Sequence, residues 1–155
     1  MISINRFSYG GTAAIVTSMA LIVGLNAATA ATSAIVSSLL VVALADNLTD
    51  SLSIHMYQES ERLEERQAFI TTLTNFTTRL VLSISFVLLV LLLPIANAII
   101  ISVIWGFFLL IVLTYVLARE RHVSVVSEVF KHVVVALIVI FVSQGIGTWI
   151  PTHIH

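Results

Sequence analysis

Asp46 and Asp50 stand four residues apart in a run, from Ala31 to Asp50, that is otherwise fit for a membrane. One helical turn places both carboxylates on the same face. An ionised side chain in the hydrocarbon costs about 3 kcal/mol on insertion scales, so it faces a partner, a cavity or an ion path. The pair points to a conduit or sensor for something cationic rather than a passive anchor. Asn47, Thr49 and Ser51 widen the polar face, and Asn47 joins the two aspartates as a candidate path residue.

Further along the same segment, His55 and Glu59 are spaced i, i+4, while Glu61 and Glu64 are spaced i, i+3. Carboxylates and imidazole suit hard and borderline divalent cations. With Glu65 these residues form a candidate metal-gathering site that would feed Asp50 and Asp46. A plainer reading is a solvated helix end laced with ion pairs, Glu59 with Arg62 and Arg62 with Glu65. Asp46, Asp50, Ser53, Tyr57, Glu61 and Glu64 fall on one stripe at helical spacing. His122 and His132 read as interfacial, His153 and His155 as a weak terminal pair, Met19 as packing, and Met56 as pointing away from the aspartate stripe.

The elements that must carry this stripe are membrane helices. The chain has 155 residues, 59% hydrophobic and only 10% charged, where a soluble domain carries about 25% charged residues. Five apolar stretches, near residues 11–28, 31–50, 78–93, 96–118 and 133–150, each approach the roughly 20 residues that cross a bilayer. The expected fold is all-α, with five transmembrane helices in one domain and a lipid bilayer as its solvent. Pro94 separates the third and fourth spans, and Pro151 is expected to stop the fifth. From Leu25 to Leu93 there is neither glycine nor proline. The second helix is therefore expected to outrun the membrane, through a cytoplasmic extension and linker over residues 51–75. A helix from Ala31 to Arg66 would be roughly 54 Å long. A break is expected in the threonine-rich stretch 71–78, since threonine favours helix poorly.

Arg6, Arg62, Arg66, Arg79, Arg119, Arg121 and Lys131 all fall on one side of this map. The positive-inside rule then places the amino terminus in the cytoplasm and the carboxyl terminus outside or in a lumen. A rival reading of the first span is a signal peptide ending near Ala28-Thr29-Ala30. Small residues at spacing of four, Ala14 with Ser18, Ala20 with Gly24, and Ser33 with Ser37, suggest that the first two spans make the tightest helix contact. In a homodimer, symmetry would bring two Asp46/Asp50 pairs together, and such a site could exchange protons for metal. With no cysteine, thiolate chemistry is excluded. No phosphate-binding loop or basic patch indicates nucleotide or nucleic acid. No nucleophile–base set marks an enzyme, and no cofactor is expected.

At these residues the chain resembles the vacuolar iron transporter family. Three stretches carry the likeness: Tyr9-Gly-Gly-Thr-Ala-Ala-Ile-Val-Thr-Ser-Met-Ala-Leu-Ile-Val-Gly24-Leu25, then Ala45-Asp46-Asn-Leu-Thr-Asp50-Ser-Leu-Ser-Ile-His55-Met-Tyr-Gln-Glu-Ser60, and Gln144-Gly-Ile-Gly-Thr-Trp-Ile150. The resemblance implies a homodimer that exports iron or manganese from the cytoplasm in exchange for protons, along a path lined by the first two helices. Gly10-Gly11-Thr12 stands where that family carries an Asn-Asp-Gly pattern, and Asp50 falls where it has a methionine ligand. The metal would be cargo, not a resident cofactor. An alternative is a non-transporting scaffold or regulator that docks a cytoplasmic partner on the extended second helix.

Overall fold

The computed structural model describes residues 5–60 and 65–154. They form five α-helices: α1 Asn5–Ala27, α2 Thr32–Ser60, α3 Glu65–Leu92, α4 Ile95–Glu120 and α5 Val125–His153. Each contains a stretch long and apolar enough to cross a membrane. Leu44, Leu91, Ile104, Phe130 and Phe141 are among many large apolar side chains left on the surface, as expected where lipid is the solvent.

The inner helix is α1. Ile15, Met19 and Ile22 on it are fully buried, and it packs against all four others. Its contact with α2 is the least of these, which corrects the expectation that the first two spans pack most tightly. The small residues of α1 serve α5 instead. A Cβ on Gly147 would overlap the Gly24 carbonyl oxygen and come within 2.9 Å of Ala27 Cβ. Gly106 of α4 likewise leaves room for the Met19 side chain. Close approach of backbones is the main source of helix association in lipid, where apolar burial gains little.

Helix ends differ from the expectation in three places. The second helix is described as far as Ser60 and Arg66 falls in α3, which packs back against α2; the join between the two lies outside the described residues. Glu61 and Glu64 lie outside the described residues. The stretch 71–78 does not break; it is the interior of α3. Thr72 Oγ1 bonds the Ala68 carbonyl at 2.9 Å and Thr77 Oγ1 bonds the Leu73 carbonyl at 2.8 Å, so these hydroxyls are satisfied within the helix. Packing against α2 then outweighs weak propensity. Finally, α5 runs through Pro151 to His153. A proline in the last turn forfeits one backbone hydrogen bond, and the turn is still closed by Ile154 N–H to the Ile150 carbonyl at 3.0 Å.

Two turns are closed by residues in the left-handed region. Thr29 has φ 58° between α1 and α2, and His122 has φ 54° between α4 and α5. The Arg121 and Val123 amides bond back to Leu117 and Ala118, so His122 occupies the position that glycine usually fills after a helix. Its role there is structural.

The α1–α5 crossing has a direct test. Gly147→Ala is expected to destabilise the bundle by about 1–3 kcal/mol through overpacking. Gly145→Ala, whose Cβ would meet nothing within 4 Å, is expected to be neutral or to stabilise by up to about 1 kcal/mol. Reversible unfolding in mixed detergent micelles measures both.

Candidate functional site

On α3 the buried polar residues recur every four positions: Thr71, Asn75, Arg79 and Ser83. On α2 the buried face carries Asn47, Ser51 and Gln58. Two helices with matching polar faces in an apolar bundle must pair, because lipid can satisfy none of these groups. The helices α2 and α3 accordingly form the most extensive contact of the fold.

Arg79 is the centre of this seam. It is 2% exposed, and all three of its nitrogens are engaged with α2. Nε donates to Asn47 Oδ1 at 2.7 Å. Nη1 donates to Asp50 Oδ2 at 3.0 Å, and Nη2 donates to Asp46 Oδ2. Asn75, one turn earlier on α3, donates through Nδ2 to the same Asp50 oxygen at 3.0 Å. The planar guanidinium suits this use because its donors diverge in a fixed fork. From α1, Gly10 completes the packing: a Cβ there would overlap Asn75 Oδ1 and approach Arg79 Cδ to 2.7 Å.

The two carboxylates differ from their partner in exposure. The Asp46 side chain is 50% exposed and that of Asp50 38% exposed, against 3% for Arg79. One positive charge thus faces inward against two negative charges at the surface of the same span. Ser53 and Tyr57 continue the exposed polar stripe along α2.

Arg79 is the residue that sequence reasoning misplaces. Counted among the basic residues that mark one side of the membrane, it lies instead near the middle of α3. The recurrence of Thr71, Asn75, Arg79 and Ser83 every four residues is the signal that would find it.

Other candidate residues form separate local contacts. His55 Nε2 lies 3.4 Å from Glu59 Oε1, and His55 Nδ1 lies 3.5 Å from Thr72 Oγ1. His55 also lines an open, mostly apolar groove of about 450 Å³ between α2 and α3, with Leu52, Phe69 and Phe76. Glu65 is the first residue of α3. Among the described residues, no group of three or more His, Asp or Glu is placed to hold a metal ion. Met19 is in the core, Met56 is exposed, His132 Nδ1 contacts the Glu128 carbonyl, and His153 stacks on Trp149.

No family model, curated protein or solved structure matches the chain.

Removing either side of the seam has unequal consequences. Arg79→Met leaves two half-exposed carboxylates and is expected to cost about 3 kcal/mol. Asp46→Asn with Asp50→Asn leaves a buried, unpaired guanidinium and is expected to cost more, about 5 kcal/mol. The triple variant should recover part of the loss, a non-additivity read from the same unfolding equilibria.

Proposed function

We propose that the chain is a transmembrane transporter of a divalent transition metal, iron or manganese. In this reading it works as a homodimer and moves the ion out of the cytoplasm in exchange for protons. Its amino terminus is cytoplasmic. Asp46, Asp50 and Asn47 line the path, and His55, Glu59, Glu61, Glu64 and Glu65 gather the ion at its mouth. The observation that carries the reading is the surplus of negative charge on an exposed face of an apolar span. Lipid does not favour such a surplus, and a cation or a proton would neutralise it. The resemblance to vacuolar iron transporters around Asp46 and Asp50 agrees with this choice of cargo. One protomer brings only two carboxylates, so a second copy facing the first would supply the further oxygen ligands that divalent ions prefer.

A second reading is favoured by the engagement of Arg79 with both aspartates. Here the charges fasten α2 to α3, and the protein is a scaffold or regulator that docks a cytoplasmic partner on the end of α2.

Flux into proteoliposomes, with internal pH followed at the same time, separates the two. Wild-type protein is expected to move Fe²⁺ or Mn²⁺ with counterflow of protons. Asp46→Asn and Asp50→Asn, each of which leaves the other carboxylate to hold Arg79, are expected to lower flux at least about tenfold. Absence of flux for iron, manganese, cobalt and zinc in the wild type would select the scaffold.

A further inference from the structure

We propose that Arg79 is a built-in competitor cation: its guanidinium neutralises the carboxylates that cargo must bind, and loading of Asp46 and Asp50 displaces it. The inference rests on the transport reading and adds to it a regulating group on the cytoplasm-to-exterior path. Arg79 reaches the exposed aspartates from the buried side, and it meets each through a single oxygen, Oδ2. An ion arriving from the exposed side meets carboxylates that already hold a positive charge. Binding of a divalent ion in addition would place like charges within a few ångströms of each other, which the low dielectric of the bundle penalises strongly.

A displaced guanidinium needs somewhere to go, and the seam holds an acceptor for it. Asn75 is 1% exposed, its Nδ2 is bonded to Asp50, and its Oδ1 has no hydrogen-bond partner among the described residues. That oxygen and Arg79 Cδ both pack against Gly10, so they lie close to each other. An unpartnered buried acceptor is costly and calls for a reason. Here it supplies an alternative partner beside Asp50, one helical turn before Arg79 on α3. Because the guanidinium is rigid, its release from the carboxylates also gives up the Nε bond to Asn47 Oδ1, and the whole group turns toward Asn75. The arrangement sets a threshold for cargo: a singly charged ion gains little by replacing a guanidinium, whereas a divalent ion gains more.

Titration of the full-length protein in detergent with Mn²⁺, followed by loss of the free-ion electron paramagnetic resonance signal, tests the competition. Arg79→Gln is expected to bind Mn²⁺ about tenfold tighter than wild type or better, and adding Asp46→Asn is expected to erase the gain. A folded Arg79→Gln protein that binds no tighter than wild type overturns the proposal, as does absence of binding in both. Should Arg79→Gln fail to fold, the wild-type protein decides through the ¹⁵N resonance of Arg79 Nε, assigned by its loss in Arg79→Lys. Movement of that resonance during titration with diamagnetic Mg²⁺ is expected; a fixed resonance at Mg²⁺ levels that compete with Mn²⁺ overturns the proposal. Flux that is indifferent to Asp46 and Asp50 sinks the transport reading while leaving this competition measurable. Flux that needs them, together with binding that ignores Arg79, sinks the competition alone.

Discussion

A guanidinium sealed between apolar helices is tolerable only if every strong donor finds an acceptor, and this requirement organises the α2–α3 hairpin. Arg79 finds Asn47, Asp46 and Asp50, all within five residues of α2. These contacts fix the register of the two helices. A slide by one residue would turn Asn47 or Asp50 away and strand the charge, at a cost of several kcal/mol. Gly10 is bound by the same constraint, because the space beside Asn75 and Arg79 admits no side chain.

Elsewhere the bundle associates by a different means. The α1–α5 crossing at Gly24 and Gly147, and the fit of Met19 over Gly106, depend on small residues and close backbones rather than on charge. Apolar packing of Ile15, Ile22, Phe86 and Leu110 fills the centre. Division of labour follows. The glycine contacts join α1, α4 and α5 and hold no titratable group, whereas the α2–α3 seam carries charge that a ligand or proton can alter. A bistable element, if cargo moves through this protein, belongs in the seam.

Much of this architecture is legible in the sequence because lipid imposes a simple rule. Long apolar runs mark the five helices, and Pro94 marks the turn between α3 and α4. Asp46 and Asp50 are equally plain, as acids in an apolar run. Helix ends are less so. Propensity suggests a break within residues 71–78, but a polar face there matches the polar face of α2, and burial outweighs propensity. Pro151 sits so near the end of α5 that its missing N–H matters little. Arg79 is hidden for a related reason: hydropathy treats an arginine beside threonines as the edge of a span. Only its pairing with acids far away in the chain accounts for its place inside one. The small residues of α1 are visible too, yet their partner is α5 rather than α2, since spacing alone does not name the neighbour.

The central physical claim is that one buried arginine bridges two half-exposed aspartates inside a membrane bundle. Solid-state NMR on protein in lipid bilayers, measuring ¹⁵N–¹³C distances from the Arg79 guanidinium to the Asp46 and Asp50 carboxyl carbons, tests it most directly. The expected result is that both carbons lie within about 4 Å of a guanidinium nitrogen when no divalent ion is present. Distances beyond about 6 Å to either carbon, or an Arg79 side chain exposed to water, would contradict it.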